Sequence, residues 1–274
     1  MVWPGLFPCL MVLSFDSLLA DYRKAQSENY VAFAPSAAGQ LEKALVNRNH
    51  HWLEPQQYGP YQLRTLASWT IIADTSQSGW GWFAFNPNSD GPVLVVPHAF
   101  YDRQTAELGL QLFATGRFRA IAINTAHRSS GPNQDWARLD VSPLLTWTHV
   151  LAQDSGPVLF MQIHGFSMDK HPDLKRDKLA MVLSSGSEET RTQCACVYER
   201  LVQHGFPAAL YGWNAFELGG SKNAQYKALQ ALPHTYFVHL EIGDALRKQL
   251  IQSEPLRGQL IDSLRCHPGW GQAR

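Results

Sequence analysis

Residues 93–113 read VLVVPHAFYDRQTAELGLQLF. The unbroken aliphatic run Val93–Val96 is the pattern of a strand buried on both faces of a sheet rather than one with a wet side. Pro97 has no N–H to continue a ladder, so the strand exits there, and His98 and Asp102 follow at the exit. TAELGLQLF (105–113) then reads as an amphipathic helix, predicted near 104–115. Strand, polar exit and helix make one unit of an α/β protein, in which the carboxyl ends of strands are where chemistry tends to sit.

The same unit recurs along the chain. RAIAINTA (119–126), GPVLFMQIHGF (156–166), KLAMVLSSG (178–186), PAALYGWN (207–214) and TYFVHLEIG (235–243) read as strands. Helices are expected over SPLLTWTHVLAQ (142–153), SEETRTQCACVYERLVQHG with Ser187 as its cap, NAQYKALQAL (223–232) and a closing DALRKQLIQS (244–253). ASWTIIAD (67–74) and the alternating GWGWFAFN (79–86) predict a hairpin joined through TSQS. Residues 16–50 carry helical spacing. The fold class expected is α/β, a three-layer αβα arrangement around a mixed, mostly parallel sheet with helices on both faces. The domain division expected is a helical extension over 1–60 and a single α/β domain over 61–274.

Composition narrows the function. A chain of 274 residues, 45% hydrophobic, buries a large core, and 23 basic residues balance 23 acidic ones. That balance, without a block of like charge, excludes a nucleic-acid footprint. The four cysteines are too few for a disulfide framework at this length; Cys194 and Cys196 are read as buried or ordinary thiols. The start, MVWPGLFPCLMVLSF, has a short apolar run but no basic residue before it and no clean cleavage site. It is too short to span a bilayer, so it is read as a docked apolar segment and the chain as cytoplasmic. Export to the periplasm or beyond is the alternative if residues 1–20 are a signal peptide.

The polar residues cluster at strand exits. His98 and Asp102 follow one strand, His127 and Arg128 the next, His164 ends a third, and His239 and Glu241 end the last. Parallel strands finish on one edge, so neighbouring strands bring such groups together. A hydrolytic Zn2+ takes three ligands from His and Asp/Glu and keeps a position open. His98, Asp102 and His164 are the expected ligands of one Zn2+ per chain, with Glu241 the general base and acid. Arg128 is expected to hold an anionic substrate group or stabilise an oxyanion, with His127 and His239 beside it as substrate-binding residues.

Four segments in this order, PHAFYDRQTAELG, NTAHR, QIHGF and VHLEIGDALR, resemble the phage-type poly-γ-glutamate hydrolases and N-formylglutamate amidohydrolases over roughly residues 90–250. The resemblance implies the zinc carboxypeptidase-like (phosphorylase/hydrolase-like) α/β fold. It assigns the first His and acid to His98 and Asp102, the IHG histidine to His164 as third ligand, and the last-strand glutamate to Glu241 as base. The function it implies is hydrolysis of an amide bond (peptide, γ-glutamyl or N-acyl amino acid) in a small-molecule or peptide-like substrate. A metal-dependent esterase or deformylase of the same fold, or a non-catalytic ligand-binding relative, is the alternative.

Each residue also has a plainer reading. His127 alone reads as a surface or hydrogen-bonded histidine. Glu107 is the fallback ligand if Asp102 is not one. Glu241 pairs with Arg247 in a purely structural reading, and Asp140 either orients a ligand imidazole or caps the helix after it. The loops LSSGSEET and FELGGSKN lack a nucleophile elbow or phosphate loop and are expected to frame a cleft, lined in part by Tyr101, Phe166 and Trp213.

Overall fold

The fold is that of a computed structural model, which describes residues 7–270 apart from 51, 53, 132, 133 and 155, with side chains from residue 15 onward. In chain order its elements are α1 (Phe7–Lys24), α2 (Pro35–Val46), β1 (Gln56–Tyr58), β2 (Tyr61–Leu66), β3 (Trp69–Asp74), β4 (Trp82–Phe85), β5 (Val93–Val96), α3 (Thr105–Ala114), β6 (Ala120–Ile123) and α4 (Pro143–Leu151). These are followed by β7 (Val158–Phe166), α5 (Pro172–Arg176), β8 (Met181–Ser184), α6 (Ala195–Gln203), β9 (Ala208–Leu210), α7 (Ala224–Gln230), β10 (Thr235–Gly243), α8 (Asp244–Gln252) and α9 (Glu254–Leu264).

Among the described residues these strands make one mixed sheet in the order β1-β2-β3-β4-β6-β5-β7-β10-β8-β9. The central four, β6, β5, β7 and β10, run parallel. An antiparallel meander, β1 to β4, extends one side and joins β6 antiparallel. On the other side β8 runs antiparallel to β10, with β9 parallel to β8. The expected hairpin is β3–β4, with Ala73 opposite Trp82.

Period-two alternation sorts the core into two layers. On β7, Leu159, Met161 and Ile163 pack with residues of α1, α3, α6, α8 and α9. Val158 and Phe160 face the other way, onto α2, α4 and α7. Burial of each such Leu, Ile or Phe contributes about 1.5–3 kcal/mol, so a one-residue slip of β7 would turn a row of apolar side chains out of its layer. The second face carries the site. There Val158 and Phe160 are succeeded by Gln162 and His164, and on β10 Phe237 is succeeded by His239 and Glu241. The apolar cover of α4 and α7 serves the first half of each strand; the polar second halves lead into a cleft of about 1010 Å³.

Several elements differ from expectation. The helix expected from Ser187 starts at Ala195, after a 3-10 turn over Arg191–Cys194. The Ser187 hydroxyl accepts from Thr190 N (3.3 Å) while the Thr190 hydroxyl bonds Ser185 O (3.2 Å). These local bonds compete with the helix ladder. A second closing helix, α9, follows α8, with the Ser253 hydroxyl accepting from Leu256 N at its start. The expectation of ordinary thiols is corrected at Cys196, which pairs with Cys266 in a disulfide tying α6 to the end of α9. Cys194, two residues away, is a buried free thiol. At the other end of the chain, α1 docks through Leu18 and Tyr22, both buried; the earlier part of the apolar start lies outside the described side chains. No helix among the described residues is long and apolar enough to cross a membrane.

Candidate metal centre

The loop after β5 is held before it is functional. Asn124, just past β6, donates from its side chain to Pro97 O (3.0 Å), and its backbone N–H donates to Val96 O (3.1 Å). Beyond Pro97 the chain makes one helical turn, in which Asp102 N donates to His98 O (2.8 Å) and the Thr105 hydroxyl donates to Asp102 O (2.7 Å). That turn puts residues four apart on one side, so His98 and Asp102 face the exit of β7 together. There the Gly165 N–H donates to Asp102 Oδ2 (3.1 Å).

Three ligand-type atoms converge. His98 Nδ1 and His164 Nδ1 are 3.1 Å apart, and Asp102 Oδ2 lies 3.4 Å from the first and 3.3 Å from the second. The outer nitrogens fix what the inner ones are. His98 Nε2 donates to the carboxylate of Asp135 (2.7 Å), and His164 Nε2 donates to the Gln162 side-chain oxygen (2.9 Å). In each neutral ring Nδ1 is then the bare lone pair. Two bare nitrogens and a carboxylate oxygen, all buried, face one another, an arrangement that favours positive charge between them. A tetrahedral ion with bonds of about 2.0–2.1 Å has ligand-to-ligand edges of about 3.3–3.4 Å; the two separations from Asp102 match, and the separation between the imidazoles is slightly shorter. The donor set of two imidazoles and one carboxylate is also the kind that Zn2+ takes.

The electrostatics of the three groups point the same way. Burial opposes charge on His98, but bonds and charge from Asp102 and Asp135 outweigh it and raise His98 above the ordinary histidine value. Against the penalty of burial, His164 and His98 hold Asp102 well below the usual carboxylate range. Burial, aided by the charge of His98, lowers His164 despite its bond to Asp102. A cation held at the inner nitrogens would meet the same demand.

His239 and Glu241 stand beside this triad. Glu241 lies opposite His164 in the parallel register of β7 and β10, and its Oε1 is 3.8 Å from His239 Nε2. The His239 ring is 4.5 Å from that of His164, and its Nδ1 has no partner among the described residues. His164, His239 and Glu241 form a second group of ligand-type atoms. With Nε2 committed to Gln162, His164 has one lone pair to give, so the two groups are alternatives for an ion, and the first is the tighter. Burial, reinforced by the Asp102 charge, pushes the Glu241 carboxyl up to about 8. Burial, reinforced by the charge of His164, drives His239 well below the ordinary histidine value, so it stays neutral.

The remaining expected residues fall into place or are displaced. Arg128 lies over the Tyr101 ring (4.7 Å), 3.1 Å from Asp135 Oδ2 and 3.4 Å from His98 Nδ1. His127 lines the cleft, its Nδ1 accepting from Ser129 N (3.1 Å). Glu107, in the first turn of α3, is not part of the cleft wall, whereas Asp102 is. Arg247 spends its donors on the carbonyls of Arg103, Phe166 and Ile242 rather than on Glu241. Asp140 is exposed, and the cap of α4 is the Ser142 hydroxyl. The residue that orients His98 is Asp135, five positions earlier and not anticipated; Gln162 was equally unanticipated. FELGGSKN does frame the cleft through residues 218–223, as do Tyr101 and Phe166. LSSGSEET does not, since Ser184 is buried and donates to Gly219 O (2.7 Å). Trp213 points away, 64% exposed.

No family model matches the chain, and no curated protein does. Solved structures similar to it include an N-formylglutamate amidohydrolase from Ralstonia eutropha, at 13% identity over 68% of this chain and 97% of that one, with a TM-score of 0.48. A bacteriophage poly-gamma-glutamate hydrolase is 15% identical over 73% of this chain and 86% of its own, with a TM-score of 0.39. An aspartoacylase family protein from Mesorhizobium loti is 13% identical over 70% and 63%, with a TM-score of 0.40. The first two belong to the groups that the four sequence segments resemble. At TM-scores below 0.5 these likenesses carry no weight for activity, which rests on the residues of the cleft.

Proposed function

We propose that His98, Asp102 and His164 hold one Zn2+ and that the chain is a hydrolase cleaving an amide bond of a small peptide-like, γ-glutamyl or N-acyl amino acid substrate. The observation that carries this reading is the convergence of three buried electron-pair donors at 3.1–3.4 Å, with both imidazoles held in the tautomer that leaves the inner nitrogen bare. Bound there, Zn2+ supplies Lewis acidity for a carbonyl and for a water molecule.

The chain's own residues supply the rest. Glu241, at the cleft wall beside His164, takes the proton from the attacking water and delivers it to the leaving amine. Its raised value of about 8 owes part of its rise to the Asp102 charge. Pairing that charge with a cation lowers Glu241 toward the range of a base working near neutrality. Arg128, partly neutralised by Asp135, keeps further N–H groups for a substrate carboxylate or a developing oxyanion. Arg103, Lys170, Lys222 and Lys248 also line the cleft and favour a substrate with an anionic end.

Metal analysis of the purified protein beside His98→Ala and His164→Ala tests this reading. About one zinc per chain is expected in the parent and a large loss in both variants. Chelator-sensitive, zinc-restored turnover is expected on a panel of N-acyl and γ-glutamyl amino acids. A parent that retains no zinc after loading and desalting refutes the assignment.

A further inference from the structure

Behind His164 a line of buried amide and hydroxyl side chains, which the catalytic reading does not use, runs from the cleft wall at Asn223 into the core. Gln162, Gln225 and Thr148 are fully buried, and Asn223 nearly so. Polar side chains are costly in a core unless hydrogen-bonded, and here each bond has a direction. Leu144 O, a helix carbonyl of α4, can only accept, so the Thr148 hydroxyl donates to it (2.7 Å). The Thr148 oxygen therefore accepts, and it takes the Gln225 amide N–H (2.8 Å). That orients Gln225 with its oxygen toward Gln162, whose amide N–H donates to it (2.6 Å). The Gln162 oxygen is then turned to His164 Nε2 (2.9 Å).

A second anchor reaches the same result independently. The Tyr226 N–H at the start of α7 can only donate, and it donates to Asn223 Oδ1 (3.2 Å). Asn223 is left with its N–H group toward Gln162, and it donates to the Gln162 oxygen (2.7 Å). A backbone acceptor on one helix and a backbone donor on another thus impose one orientation on Gln162. Rotating that amide by half a turn would set N–H against N–H toward Asn223 and oxygen against oxygen toward Gln225.

We infer that Thr148, Gln225, Asn223 and Gln162 are positioning residues that fix His164 as its Nε2–H tautomer, keeping Nδ1 bare for the cation. This rests on the metal reading for its purpose but not for its test. Imidazole nitrogens of the metal-free protein, labelled with 15N at histidine, report by NMR which nitrogen carries the proton. His164 is expected protonated at Nε2 only. Protonation at Nδ1, or a mixture, in the parent overturns the relay.

Gln162→Met removes the acceptor and is expected to give a tautomer mixture and a zinc affinity about 10- to 100-fold weaker. Thr148→Val alone leaves the Asn223 anchor and is expected to keep the parent tautomer, whereas Thr148→Val combined with Asn223→Ser, which removes both anchors, is expected to give a mixture. If Gln162→Met does not fold, this double variant carries the test. An unchanged single tautomer in the double variant, with Gln162→Met also unchanged or lost to misfolding, overturns the inference. A correct tautomer in a parent that binds no zinc refutes the metal reading alone; zinc binding with the wrong tautomer refutes the relay alone.

Discussion

Asp135 was missed in the sequence, and it offers a graded test of how His98 is held. Its carboxylate accepts from His98 Nε2 at 2.7 Å and from Ala137 N at 3.1 Å, and it pairs with Arg128 at 3.1 Å. A hydrogen bond to a charged group is worth about 1.5–3 kcal/mol. If that energy is spent holding the imidazole in its ligating tautomer and angle, Asp135→Ala weakens zinc binding by about 10- to 100-fold, at about 1.4 kcal/mol per tenfold. Asp135→Asn keeps an acceptor but not the charge. A neutral bond is about half as strong as a charge-assisted one, so the expected loss is about 3- to 10-fold. Competition for zinc against a fluorescent chelator, at one pH and salt concentration, measures both variants, and thermal unfolding of the metal-free proteins controls for misfolding. The expected order is parent, Asn, Ala. If the Ala variant binds zinc within a factor of about two of the parent, orientation through Asp135 is wrong, and the bond is only a way of satisfying a buried polar group.

Other expectations follow from single contacts. Glu241→Gln keeps the volume and removes the base; zinc content should be unchanged while kcat falls by about 10²- to 10⁴-fold, and unchanged turnover would place the base elsewhere. Gly165→Ala places a Cβ 2.4 Å from the Arg247 guanidinium, which three carbonyls hold in place. The cost should be about 1–3 kcal/mol in urea unfolding, and a neutral result would show that Arg247 moves freely. His267 gives a pH dependence remote from the metal. Burial lowers it to about 4, so between about pH 6.5 and 4 the unfolded chain takes up a proton that the folded chain refuses. Stability from this group is complete above about pH 6.5 and is lost as pH falls, by roughly 2–3 kcal/mol at pH 4. His267→Asn, which keeps an acceptor for the Gly269 N–H (3.1 Å), should flatten that part of the stability–pH curve. The same slope in parent and variant would exclude His267 as its source.

What could be read from the sequence, and what could not, follows from the range of the interactions. The strand exits were legible because apolar runs such as Val93–Val96 and Ala120–Ile123 end abruptly in polar residues, and period two carries Phe237 on to His239 and Glu241 on one face. That pattern is local. The order β6-β5-β7-β10, which makes His98, His164 and Glu241 neighbours, is not local, and only the rule that parallel strands finish on one edge anticipated it. β1 and β2 escaped because Tyr61, Leu63 and Thr65 alternate over a stretch too short to stand out beside the helices before it. Asp135 escaped for a different reason. It lies in an aperiodic loop 37 residues from His98, where nothing separates it from Asp140, the carboxylate weighed there either as an imidazole partner or as a helix cap.

The buried amides are the harder case. Gln162 in VLFMQIHGF looks like a polar residue on a wet strand face, and Gln225 like the solvent side of a helix. Each is in the core because the other is, and because both lead to His164. A run of buried polar side chains without a charge among them is expensive to maintain for packing alone, since apolar residues of the same shape fill such space at lower cost. Its presence directly behind His164, with Asp135 bonded to His98, is the surrounding that the proposed metal centre would call for.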